Sequence, residues 1–280
     1  MEVINKTREY YVKRAFLYLL LCVGAFTMII PFVWMVTTSF KPSNEIFTLP
    51  PTLFGSRLAF ENYALLFDRF PFVLYLFNSF KVTLSVVLCQ LFTSCMAGYV
   101  FARIKFRGVD KLFLLYLATM MVPFQVTVIP NFVMMKTYGL VDTHWALILP
   151  AVVSAYGTFL LRQFFITVPQ ALEDSAKIDG CNHFQIFMRI MLPMARPTVT
   201  TLLIFIFMGV WNDFFNPFIY INTDRLKTLP LGIATMQGMY MTEWAVLMAG
   251  AFLSVIPVLI AFLIGQDQFV KGVMLSGMKD

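Results

Sequence analysis

The sequence predicts an all-α integral membrane protein with six transmembrane helices, and three observations carry that expectation. First, 59% of its 280 residues are hydrophobic and only 13% are charged, against about 45–50% and about 25% in a soluble domain. One soluble core cannot hide an apolar excess that includes 31 Phe and 18 Met, so a lipid bilayer is the expected surrounding. Second, the apolar residues fall into six runs near spanning length. Third, the positive charges gather at the ends of those runs. The net charge of +6 therefore reads as topology determinants rather than as a basic face, and nucleic acid is not an expected partner.

Residues 1–14 are polar and basic, and residues 15–36 carry no charge. That run is longer than the about 7–15 residues of a signal-peptide core, and no small-residue cleavage site follows it. It reads as a retained first span, bent by Pro31. An irregular outer connection follows to residue 72, with Lys41-Pro42, Pro50-Pro51 and Gly55, and with a short helix around residues 62–67. The remaining spans are expected at about 73–101, 112–131, 145–166, 198–221 and 244–265, with a polar loop at 167–197 and a tail at 268–280. At 1.5 Å per residue, residues 82–101 alone cross a hydrocarbon core of about 30 Å. Lys81 then sits near the outer boundary, where its stem can snorkel. The division expected is 1–72, 73–267 and 268–280.

Six spans put both termini on one side. With them go Lys6, Arg8, Lys13, Arg14, Arg103, Lys105, Arg107, Lys111, Arg162, Lys177, Arg189, Arg196, Lys271 and Lys279. The opposite side holds only Lys41, Arg57, Arg69, Lys81, Lys136, Arg225 and Lys227. The excess places the termini and the 167–197 loop in the cytoplasm. Cys22, Cys89, Cys95 and Cys181 show neither metal-ligand spacing nor a disulfide pattern, and His144 and His183 read as ordinary loop positions. No GxxxxGK[ST], HExxH or GxSxG occurs. The expectation is a chain without catalytic residues, cofactor or metal; nucleotide energy would come from another subunit.

The loop at 167–197 is the longest polar interruption of the second half. Pro169 suits a first helical turn, and Gln170 to Asp179 then make about three turns. Leu172, Ala176 and Asp179 would share a face, and Glu173 and Lys177 would pair at i,i+4. Gly180 supplies a left-handed stop, and Asn182 with Gln185 makes a capping box for a second piece ending near Met191, before Pro193. Such a helix fits either lipid headgroups, which favour a basic face, or a groove on a protein. Glu173, Asp174 and Asp179 outnumber Lys177, which favours the protein.

These residues carry a resemblance. Asp174-Ser175-Ala176, Gly180, Ile190, Leu192 and Pro193 stand at the spacing of the EAA motif of bacterial ABC importer membrane subunits, with Asp for Glu and Ser for Ala. Glu173 next door leaves open which acid plays the part. Lys41-Pro42, Asn62-Tyr63, Asn78-Ser79, Ala102-Arg103, Pro123, Trp211-Asn212-Asp213-Phe214 with Pro217, Thr228 to Gly232, Pro257, Phe269 to Gly272 and Gly277-Met278-Lys279 extend it over nearly the whole chain. The sequence resembles the second permease of maltose-type carbohydrate importers. The resemblance implies a type I ABC importer permease fold whose loop helix is a coupling helix. Its contacts to the ATPase would come from Glu173, Asp174, Ser175, Ala176, Asp179, Gly180, Ile190, Leu192 and Pro193, with Lys271 and Lys279 of the tail as further candidates. It also implies a sister permease, an ATP-binding subunit dimer that uses ATP and Mg, an extracytoplasmic solute-binding protein, a carbohydrate cargo and a bacterial inner membrane.

For the cargo's route the candidates are Asn78, Asn212, Asp213 and Asn216. A carboxylate inside the fifth span should face water or the bundle interior. Pro217 cannot donate to the Asp213 carbonyl, so the helix should loosen there. Two readings stand open: a patch facing the sugar or a gate, or a hydrogen-bond knot through Asn78 or Tyr220. A competing function is an autonomous secondary transporter or channel for a small polar solute, but neither an internal repeat nor a set of titratable residues supports it.

Overall fold

The computed structural model describes residues 8–237 and 242–277, with side chains over 10–237 and 242–266. Lys6 and Lys279 lie outside the described residues, as do the side chains of Arg8 and Lys271. Among the described residues the regular structure is helical, apart from one bridge between Gln237 and Thr242.

Helix α1 runs Arg8–Ser39 and keeps Pro31 inside it. The short helix expected near 62–67 is α2, Glu61–Arg69. Helix α3, Phe72–Arg103, matches the second predicted span and ends two residues beyond it. The third predicted span is not one straight helix. Helix α4 (Val109–Ala118) and helix α5 (Phe124–Thr137) meet at 97°. Pro123 lies at the joint; it has no N–H to give, and it holds Val122 in an extended conformation with ψ of 116°.

The fourth predicted span is also interrupted. Helix α6 (Trp145–Ile148) ends in a tight turn holding Pro150, and Ser154 caps the restart as α7 (Ala155–Thr167) by accepting from the Gly157 N–H. After the loop helices α8 (Gln170–Ile178), α9 (His183–Ile186) and α10 (Leu192–Met194), the fifth span begins as α11, Arg196–Trp211, bent 76° from the preceding helical stretch. It stops at Trp211 and resumes as α12, Phe215–Tyr220. Helix α13 is Leu229–Ala234, and α14 is Trp244–Gly277. The apolar run of the sixth span ends where predicted, but the helix continues to Gly277, because the polar residues that follow include no proline. Four stretches are long and apolar enough to cross a membrane: Tyr10–Ser39, Phe72–Arg103, Trp145–Thr167 and Trp244–Gln266. The two bent pairs bring the number to six if each counts as one span.

The chain groups into two compact units. Met1–Phe70 goes with Thr235–Leu253, and Pro71–Ala234 goes with Ser254–Asp280. In the first unit, the buried Asn62 amide donates to the carbonyls of Ser39 and Lys41, each at 2.9 Å, while the Ser39 hydroxyl meets Tyr63 Oη at 2.8 Å. These bonds tie α2 to the end of α1.

In the second unit, α3 is the central rod, packed along α7 and α11. Its seam with α7 is tight. A Cβ on Gly98 would stand 2.9 Å from Leu161 Cβ and 3.2 Å from the Thr158 carbonyl, and one on Gly157 would stand 2.5 Å from Ser94 Oγ. Small residues facing one another let the two backbones approach, as membrane helix pairs require. Trp211 closes the other side of α3, stacked at 5.5 Å on Phe207 and edge-on at 4.7 Å to Phe80, with its Nε1 donating to the Ser254 carbonyl at 3.0 Å.

Candidate functional site: the polar loop and the broken fifth span

Helix α8 matches its prediction to within one residue. Pro169 precedes it, Asp179 ends it, and Gly180 follows at φ +82°, the left-handed region that glycine enters without steric cost. Both halves of the Asn182–Gln185 capping box are present, each at 2.9 Å. The second piece does not stop before Pro193, however. A π-turn over Phe187–Met191 leads into α10, and the helix passes Pro193 to Met194. Proline crowds the carbonyl four residues back, here Arg189, and the wider π-turn opens the backbone at that point. Ile190 and Leu192 are half-buried, and Pro193 is exposed.

The inward face of α8 is Glu173 and Ala176, while Leu172 and Asp179, on the stripe that also holds Ala176, are exposed. The expected Glu173–Lys177 pair is not formed; Lys177 Nζ lies 3.8 Å from Asp174 Oδ1 instead. Glu173, 1% exposed, is paired with Arg103 at the end of α3, with Nε 3.0 Å from Oε1. A buried carboxylate needs a buried cation, and the exposed Lys177 cannot serve. The same guanidinium donates to Gln170 Oε1 at 3.0 Å and to the carbonyls of Phe165 and Val168. Arg103 thus fastens α8 and the end of α7 to α3. Sequence reasoning used Arg103 as a topology charge and as part of the resemblance but gave it no partner, although an arginine closing an apolar run opposite an acidic loop was the signal. Outward, α8 presents Leu172, Asp174, Ser175, Asp179 and an Ile178 that is 86% exposed.

At the other site, the fifth span is broken at Asn212–Phe214, where Asp213 and Pro217 predict loosening. Asp213 Oδ1 accepts from the Asn216 N–H at 3.2 Å and Oδ2 from the Asn216 amide at 2.7 Å, so Asp213 caps α12. Asn212 is exposed and donates to the Met208 carbonyl. Neither Asn78 nor the Tyr220 hydroxyl joins a knot with Asp213. The Asn78 amide, 4% exposed, spans the carbonyls of Arg225 and Lys227 at 2.9 Å each, and Tyr220 stacks on Phe132.

The predicted quartet therefore separates. Asp213 and Asn216 line a cavity of about 500 Å³, and Asn78 and Asn212 do not. Residues that sequence reasoning did not place on the cargo's route complete its wall: Thr83 and Gln90 of α3, Tyr156 of α7, and Thr228. The spacing of Thr83 and Gln90, two helical turns along one face, was the available signal.

The connections around residues 138–144 and 221–229 are pinned by side chains. The Ser79 hydroxyl accepts from the Leu229 N–H at 2.7 Å, and His144 Nε2 meets the Leu226 carbonyl at 2.9 Å. Asp142, at φ +61°, accepts from the N–H groups of Asn222 and Thr223 at 2.8 Å and from the Thr223 hydroxyl. The Thr223 hydroxyl bond, then the backbone bonds, hold the Asp142 carboxyl below the usual carboxylate range. Burial pushes the His144 imidazole down, against the Leu226 bond. Lys227, 2.7 Å away, lowers Asp224.

Residues 91–274 match the model of the binding-protein-dependent transport system inner membrane component family. The chain belongs to that family. Among relatives of this inner membrane component, the arabinooligosaccharides transport system permease protein AraQ of Halalkalibacterium halodurans is 33% identical over 258 residues, 91% of this chain and 92% of that one. The lactose transport system permease protein LacG of Rhizobium radiobacter is 35% identical over 262 residues, 94% and 95% of the two chains. A chain of a bacterial ABC transporter involved in the import of the acidic polysaccharide alginate superposes with a TM-score of 0.83 at 20% identity, covering 94% of this inner membrane component and 98% of that chain. The fold of this component is that of an ABC importer permease.

Proposed function

We propose that this inner membrane component moves a carbohydrate inward as one permease of an ABC importer, driven by ATP and Mg²⁺ held in a separate ATPase dimer. The observation that carries the reading is the two-sidedness of α8. Its inner face is fixed by the buried Glu173–Arg103 pair, while its outer face exposes Leu172, Asp174, Ser175, Ile178 and Asp179, with Ile178 uncovered by any of the described residues. An apolar residue that exposed, among acids and next to a left-handed turn, suits a groove on a protein better than an anionic lipid surface. Glu173 then acts as the internal anchor and Asp174 as the acid offered to the partner. Ala176, Gly180, Ile190, Leu192 and Pro193 shape the loop, and Lys271 and Lys279 remain candidates for a second ATPase contact from the tail.

Closure of the ATPase dimer would displace α8, and Arg103 would pass that displacement to α3, the rod that borders the cavity at Asp213. The relatives named for sugar transport over more than nine-tenths of their length support a saccharide cargo. A sister permease would complete the route, a solute-binding protein would deliver the cargo, and the charge distribution supports cytoplasmic termini. The test is co-expression with candidate ATPase and sister chains, followed by uptake in proteoliposomes. Expected are a stable complex, ATP-dependent uptake, and more ATP hydrolysed per sugar in Gly180→Val. Uptake by this chain alone, or full coupling in Gly180→Val, would overturn the corresponding part of the reading.

A further inference from the structure

The cavity at the break of the fifth span is built for more than passage. Its volume of about 500 Å³ lies within the about 300–1,000 Å³ of small-molecule sites. Polar groups converge on it from separate elements: Thr83 and Gln90 from α3, Asp213 and Asn216 from the break, and Thr228 from the outer loop. Thr228 is 5% exposed, and its hydroxyl finds no partner among the described residues. A buried hydroxyl without a partner is costly unless a ligand or water supplies one. Tyr156 adds an aromatic wall, held edge-on against Phe205 at 6.4 Å.

We propose that this cavity is a saccharide subsite contributed by this chain itself, shaped for an uncharged sugar. Sugar hydroxyls both give and take hydrogen bonds. The Asp213 carboxylate, which keeps acceptor capacity beyond its bonds to Asn216, takes them, while Gln90, Thr83 and Thr228 do both. The C–H face of a ring lies against Tyr156. Among the described residues no Lys or Arg lines the cavity, so a carboxylated or phosphorylated sugar gains no ion pair and meets the charge of Asp213. The inference rests on the importer reading and adds to it that this permease holds the cargo directly.

The experiment uses the assembled importer in proteoliposomes, supplied with its binding protein and a mixture of neutral and acidic mono-, di- and trisaccharides. Accumulated sugar is identified by mass spectrometry. Wild type is expected to accumulate at least one neutral component. The double variant Gln90→Leu with Thr228→Val should accumulate it about tenfold less, and Gln90→Leu with Thr228→Ser, which restores the hydroxyl, should recover part of that loss. As a check independent of variant folding, Thr228→Cys in the assembled complex should be alkylated at least about threefold more slowly when the mixture is present. Double-variant accumulation within twofold of wild type, or alkylation unaffected by the mixture, overturns the subsite and leaves the importer reading standing. A wild-type complex that hydrolyses ATP in response to its loaded binding protein but accumulates only acidic sugars also overturns it. A complex whose hydrolysis ignores the binding protein overturns the importer reading instead.

Discussion

Helices α1 and α3 are each 32 residues long and strongly apolar, yet within the chain they have opposite fates. None of the best spanning window of α1 is buried by the rest of the protein, whereas 44% of that of α3 is. Hydropathy does not separate them; the placing of small and polar residues does. Along α3, Asn78, Ser79, Thr83, Ser94 and Gly98 are all buried, each against a particular neighbour or the cavity. In α1, Gly24 has nothing within 4 Å of where its Cβ would be, and Thr27 bonds only to its own helix. Apolar length marks what the bilayer can accept. A stripe of small and polar residues marks what protein must cover.

That contrast can be broken most severely at the Arg103 end of α3. Arg103→Met leaves Glu173 charged and buried, which costs about 3–5 kcal/mol. Thermal unfolding in detergent should fall accordingly, and adding Glu173→Leu should restore much of the loss. An unchanged melting temperature in the single variant would mean that the pair does not hold the loop. Next is a matched pair of alanines. Gly98→Ala drives a Cβ into Leu161 and the α7 backbone and should destabilise by about 1–3 kcal/mol. Gly24→Ala should be neutral, or stabilising by up to about 1 kcal/mol through helix propensity alone. Equal effects at the two sites would erase the distinction drawn here.

Asn78→Leu removes two bonds to the outer loop, at a cost of about 1–2 kcal/mol. Hydrogen exchange should then quicken at residues 225–229 while α1 stays as before. The smallest effect concerns Asp142. Its folded pKa is depressed, so its contribution is present above the ordinary carboxylate value and disappears as pH falls through the lower folded one. The difference in melting temperature between wild type and Asp142→Ala should hold from pH 8 to about pH 5 and shrink as pH falls below the ordinary carboxylate value of about 4. A difference that changes between pH 6 and 7 would point to another group.

What sequence reasoning reached and what it missed follow from how local each cause is. Pro169, Gly180 and the Asn182–Gln185 box act within a few residues, and α8 with its stop and restart appears where they put it. The loosening at Asp213 is local too, because Pro217 dictates it. The 97° joint at Pro123 and the π-turn before Pro193 were less readable, since a proline announces a disturbance without saying whether the helix bends, widens or ends. The partners of Glu173 and Asn78 were out of reach because each lies far along the chain. The dipeptides scattered along the sequence nevertheless turn out to meet in pairs. Lys41 and Asn62 join in one unit; Asn78-Ser79 meets Lys227 and Leu229 in the other, and Arg103 meets the 167–197 loop there.

The grip of Asn78 has a consequence for how such a loop can vary. Its amide holds the carbonyls of residues 225 and 227, and Ser79 holds the N–H of residue 229, so none of these three bonds consults a loop side chain. Substitution at those three positions is therefore cheap for the grip, whereas inserting or deleting one residue moves a carbonyl out of reach of the amide. Among descendants of one ancestor, residues 225 and 227 should drift in lettering while the length of the stretch stays fixed. A sequence that changed its length here would need to change Asn78 in the same step.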